Sequence, residues 1–72
     1  MNHTITHSVV VDRANLLTRD EAAEYLNLKP QTLAIWAMSG KGPPVIRLGR
    51  AVRYEMSALV AFVRSNTIGG QS

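Results

Sequence analysis

The chain has 72 residues, no cysteine, and eight lysines and arginines against five aspartates and glutamates. That length holds one small domain, near the size at which a single core becomes marginal, so support from a partner, from DNA or from self-association is expected. The lack of cysteine excludes disulfides and thiolate metal sites as staples, which fits a reducing cytoplasm.

No apolar run approaches the roughly 20 residues needed to cross a bilayer. The first residues, "MNHTITHSVVVD", carry neither a basic region nor a long apolar segment, so no signal peptide is expected. The expectation is a soluble cytoplasmic protein without membrane contact. Charge is unevenly placed. Between Asp12 and Glu24, two arginines (Arg13, Arg19) face four acids (Asp12, Asp20, Glu21, Glu24). Between Lys29 and Arg53 lie Lys29, Lys41, Arg47, Arg50 and Arg53, with no acid among them. A basic middle after an acidic first segment is the footprint of an anion-binding face, although many small proteins carry such a surface simply solvated.

Residues 1–15 read as an arm of uncertain order, with a weak strand signal at "SVVV". His3 and His7 are four apart, a spacing that on a helix could hold a metal. No further ligand accompanies them, so the spacing reads as chance, and neither a metal nor a cofactor is expected.

The domain itself is expected over 16–65. Thr18 followed by Glu21 is a capping box, with Leu17 placed to pack on Ala22 as the staple. Asp20 and Glu21 suit the positive end of the helix dipole. The first helix should run from about Arg19 to Leu26 and stop at Asn27, which tolerates the left-handed conformation. Only Asn27, Leu28 and Lys29 separate it from a second helix that opens on Pro30 and ends near Ser39–Gly40. Ala23 is small where the helices would cross, and Ala22, Leu26, Leu28, Leu33 and Trp36 are expected in the shared core.

The stretch "GKGPP" cannot be helical, and "VIRLGRAVRY" after it reads as a two-stranded hairpin. With Gly49 to Ala51 as the turn, Ile46, Leu48, Val52 and Tyr54 would share the inner face. Val45, Arg47 and Arg53 would then point outward, with Arg50 at the tip. A last helix over about Met56 to Arg64 places Leu59, Phe62 and Val63 on one stripe, and residues 66–72 read as a flexible tail. Trp36, Tyr25, Tyr54 and Phe62 read as core rather than as stacking platforms. Helix, turn, helix, hairpin, helix is the order of a mainly α, winged helix-turn-helix domain.

In this arrangement "LLTRDEAAEYLNLKPQTLAIW" and "SGKGPPVIRLGRAVRYEMSALVAFV" resemble the small excisionase-like helix-turn-helix proteins of phages and mobile elements, related to the DNA-binding domain of MerR-type regulators. The resemblance implies a sequence-specific binder of double-stranded DNA with no catalysis of its own. It implies a recombination directionality factor that binds repeated sites cooperatively, bends DNA and assists a tyrosine integrase in excision, or else a small transcriptional regulator. Head-to-tail self-association on DNA belongs to the same expectation. The chain departs from the family pattern at Lys29, where a Ser or Thr cap is common, and around Ala34, Ile35 and Ala37, where basic or polar residues are common.

Phasing the second helix from Pro30 puts Leu33, Trp36 and Ala37 inward and Gln31, Ala34, Ile35 and Met38 outward, with Thr32 at the edge. Gln31 can pair with adenine N6 and N7, and Ala34 and Ile35 can meet thymine methyl groups. Thr32 and the early amides can hold a phosphate. Ile35 suits a protein contact equally well, and Met38 reads as packing. The phosphate-binding cations are then Lys29, Lys41, Arg47, Arg50 and Arg53, with Arg50 the candidate for the minor groove. No phosphate-cradling loop, metal cluster or nucleophile–base arrangement supports an enzyme. The alternative class is a winged-helix protein-interaction module that uses the apolar "AIWAM" face.

Overall fold

A computed structural model describes residues 15–69. The elements are β1 (Leu16–Leu17), α1 (Arg19–Leu26), α2 (Pro30–Ser39), β2 (Ile46–Leu48), β3 (Ala51–Glu55) and α3 (Met56–Ser65). Three helices and a small antiparallel sheet make a mainly α, winged helix-turn-helix architecture. Among the described residues no helix is long and apolar enough to cross a membrane. The segment containing "SVVV", His3 and His7 lies outside the described residues.

Local chemistry sets both ends of α1. The Glu21 amide donates to Thr18 Oγ1 at 3.1 Å, and the Thr18 amide donates to the Glu21 carboxylate at 2.9 Å, so the capping box is complete. At the far end Asn27 adopts φ +59°. The Asn27 amide reaches Glu24 O and the Leu28 amide reaches Ala23 O, the paired bonds of a Schellman stop. The helix axis therefore breaks after eight residues and resumes at Pro30, which has no amide to lose at the first helical position. Leu28, expected in the shared core, is exposed instead. It lies in the short turn after the left-handed Asn27, off the stripe of Ala22, Ala23 and Leu26 that α1 buries.

The core is five side chains: Ala22, Ala23, Leu33, Tyr54 and Leu59, ringed by Leu17, Leu26, Trp36, Val45 and Val52. The two alanines let α2 approach α1 closely, and Leu33 fills the crossing. Trp36 continues the layer against Phe62 of α3, with ring centroids 5.9 Å apart in a tilted arrangement. Tyr25 and Val63, both expected inward, are exposed. With so few elements, one stripe of each short helix exhausts the interior.

The sheet has three strands in the order β1-β3-β2. Leu16 pairs with Glu55 and Leu17 with Tyr54, and the Met56 amide extends the pairing to Asn15 O at 2.9 Å. The two-residue β1 thus fastens the start of α1 beside the start of α3, and it carries no sequence pattern of its own. The hairpin departs from the expected phase. Its loop is two residues, Gly49 and Arg50, and only Gly49 of that loop has a positive φ, +65°. Glycine at the first central position is the signature of a type II′ turn. The register that follows is Ile46↔Arg53, Arg47↔Val52 and Leu48↔Ala51. Directly opposed residues share a face, so Val52 and Tyr54 face the core together with the Arg47 position, while Ile46, Leu48 and Arg53 lie on the other side. A loop one residue shorter than expected flips β2 relative to β3.

The connection between α2 and β2 is seated on Trp36. A Cβ at Gly42 would stand 2.7 Å from Trp36 Cε3, and Gly42 has φ +79°. Pro43 beside it is buried. Gly40 shares the left-handed backbone at φ +74°, yet a Cβ there would meet nothing within 4 Å. Thermal unfolding by circular dichroism should therefore rank two glycine variants. Gly40→Ala should cost about 1 kcal/mol from backbone strain alone. Gly42→Ala should cost roughly 2–4 kcal/mol, because overpacking against the indole is added. Thr18→Ala removes one half of the capping box and should cost about 1 kcal/mol, lowering the midpoint by about 4–8 °C.

Candidate nucleic-acid interface

The second helix of the pair, α2, presents an uncharged face. Gln31 and Ile35 are exposed, Met38 is 84% exposed, and Ala34 is half-buried at the margin. Met38, read from sequence as packing, makes no part of the interior. Thr32 is half-buried, and its amide donates to Lys29 O at 2.9 Å. Pro30 has no amide, so the first turn offers an anion little beyond the Gln31 N–H, less than the early amides promised. Lys29 occupies the cap position without any side-chain cap bond, and its exposed ammonium stands at the start of the helix.

At the other end of α2 the sequence-predicted cations separate into groups. A notch of about 300 Å³ lies between the last turn of α2 and β2, and Lys41 and Arg47 line it together with Ala37, Pro43, Pro44 and Val45. Lys41 and Arg47, six residues apart in sequence, are thereby brought to one rim. Arg50 is exposed in the hairpin turn. Arg53 goes elsewhere. It shares the outer sheet face with Ile46, is half-buried, and its Nη1 donates to Val52 O at 2.8 Å. Arg47 and Arg53, expected to point outward together, lie on opposite faces of the wing, because the shorter turn shifts one strand by one residue.

One polar contact was missed by sequence reasoning. Arg19 Nε donates to the hydroxyl of the buried Tyr54 at 3.2 Å, and its guanidinium carbon lies 6.0 Å from the ring centroid. A buried tyrosine hydroxyl demands a partner, which is the signal that a search for one on neighbouring elements would have used. The contact consumes Arg19 structurally and leaves it outside the set of cations free for an anion. The acids Asp20, Glu21 and Glu24 are exposed on α1, an element apart from those that carry Lys29, Lys41, Arg47 and Arg50, and Glu55 is exposed at the end of β3. Among the described residues no group of three or more His, Cys, Asp or Glu side chains is arranged to hold a metal.

A family model described as a helix-turn-helix domain matches residues 16–67, which takes in every element from β1 through α3. No curated protein matches the chain.

Proposed function

The chain belongs to this helix-turn-helix domain family, a DNA-binding family that includes excisionase-like proteins, and from that premise we propose that it is a recombination directionality factor of a phage or mobile element. In this reading it binds repeated duplex sites, bends them and assists a tyrosine integrase in excision, acting in the cytoplasm of a bacterial or phage-infected cell without catalysis of its own. Copies assemble head to tail along the DNA.

The observation that carries the DNA reading is the division of labour around α2. An uncharged reading face is bracketed by Lys29 and Lys41, with Arg47 sharing the Lys41 notch and Arg50 at the wing tip. Phosphate neutralisation supplies sequence-independent affinity, and base edges supply preference. Gln31, Thr32, Ala34 and Ile35 serve the second task; Lys29, Lys41, Arg47 and Arg50 serve the first. Arg53 contributes less, since its guanidinium is held on the Val52 carbonyl of the outer sheet face. A small transcriptional regulator would use the same grip. The exposure of Ile35 and Met38 favours a third reading, a protein-interaction module.

Excision of a genetic element by its purified tyrosine integrase, measured with and without this protein, separates these readings. Stimulation supports the directionality factor, DNA binding without stimulation supports the regulator, and protein binding without DNA binding at low salt supports the module. With four cations on phosphates, the plot of log affinity against log salt should fall with a slope of about −3 to −4. Arg47→Ala should flatten that slope by about 0.9, and Arg53→Ala by clearly less. A slope near −1 would remove the phosphate model.

A further inference from the structure

We propose that the exposed face of α2 selects A·T pairs by the C5 methyl groups of thymine, with Ile35 and Met38 as the methyl-reading side chains; this rests on the DNA-binding reading above. Gln31, Ile35 and Met38 are spaced i, i+4 and i+7, and at 100° per residue they fall within an arc of about 60°. All three are exposed, Ile35 at 54% and Met38 at 84%. Ser39, the next polar residue along, turns its hydroxyl back to donate to Ile35 O at 2.9 Å. The strip therefore ends in two apolar side chains with one amide, Gln31, at its N-terminal end.

Major-groove chemistry makes that strip selective. Guanine shows two acceptors that need a donor, and cytosine shows an amino donor that needs an acceptor. Thymine alone adds an apolar group, its methyl, and adenine presents the donor–acceptor pair that a glutamine amide matches. Ile35 and Met38 carry neither a strong donor nor a strong acceptor. Set against a G·C pair they would strip water from polar edges and replace it with nothing, which is the costly case for a hydrogen-bonding group. Against thymine they bury a methyl. Charge complementarity favours a polyanion as the occupant. The strip is bracketed by Lys29 and Lys41, with Arg47 beside Lys41 and no acid between Lys29 and Arg53. An apolar protein partner would engage the strip and leave those cations unmatched.

The test begins with duplexes selected from a random-sequence library by the full chain at low salt. Affinity for the best duplex is then measured by fluorescence anisotropy, with each thymine replaced in turn by deoxyuridine, which removes the C5 methyl and leaves base pairing intact. At two or three positions the loss should be about three- to fivefold, the value of one buried methyl. Exchange of the same pair for C·G should cost roughly tenfold or more. Ile35→Ala, at an exposed position, should retain its helical spectrum and lose the deoxyuridine penalty at one of those thymines. Tight binding with no penalty at any thymine overturns the inference and leaves the DNA-binding reading standing. A penalty that persists in both Ile35→Ala and Met38→Ala also overturns it. Failure to bind any duplex at low salt removes the DNA-binding reading itself.

Discussion

The structure depends on one buried side chain, Tyr54. It is the largest of the fully buried residues and sits on β3, the strand that packs against β1, α1 and α3. Its backbone pairs with Leu17 of β1, and its ring belongs to the cluster formed with Ala22, Ala23, Leu33 and Leu59. Its hydroxyl receives Arg19 from the first turn of α1. A domain this small has little apolar area to spare, and one aromatic ring supplies a large part of what a core of two alanines and two leucines lacks. The polar end of the ring would be a liability if orphaned, since an unpaired buried hydroxyl costs stability. Arg19 removes that cost and at the same time fixes where α1 begins relative to the sheet.

From Tyr54 the position of the wing follows. Once Tyr54 points inward, alternation sends Arg53 outward, and the two-residue turn at Gly49–Arg50 sets what faces Arg53 across the hairpin. That partner is Ile46. Arg47 is left opposite Val52, on the side that looks toward the end of α2, where it meets Lys41 across the notch. A glycine turn thus decides the distribution of positive charge. The three arginines of the hairpin are equal in the sequence, yet one joins the helix end, one caps the tip and one lies against the outer sheet.

The readable parts of the sequence were those governed by local rules. The capping box at Thr18 and Glu21, the left-handed stop at Asn27 and the proline start at Pro30 each follow from neighbours within four residues, and α1 and α2 have the expected bounds. The inward phase of Leu33, Trp36 and Leu59 was equally legible, because helical periodicity is a property of the chain itself. What failed was long-range. Two leucines cannot announce a strand, and β1 exists only because β3 lies beside it. Leu28, Tyr25 and Val63 are apolar and exposed, since hydrophobicity does not say when a small core is already full. The hairpin phase was recoverable in principle, for "LGRA" puts glycine where a two-residue type II′ loop requires it. Of the candidate interface, the cations were legible as a set but their partition was not.

A helix without charge remains suited to DNA because affinity and selectivity have separate sources. Cations hold any duplex and, when they also line the reading face, add attachment at guanine edges. Here they stand at the two ends of α2 and on the wing, and the face between them is left to Gln31, Ile35 and Met38. In the proposed reading the backbone grip contributes nearly equally to every sequence, and discrimination rests on a strip whose favourable contacts are apolar and whose unfavourable ones are unpaired polar edges. Because the penalty for a wrong pair is a lost hydrogen bond and the reward for a right one is a buried methyl, such a face excludes G·C more strongly than it attracts any one arrangement of A·T. Single copies would accordingly read short, degenerate sites, and the precision needed to mark one locus would come from several copies set side by side.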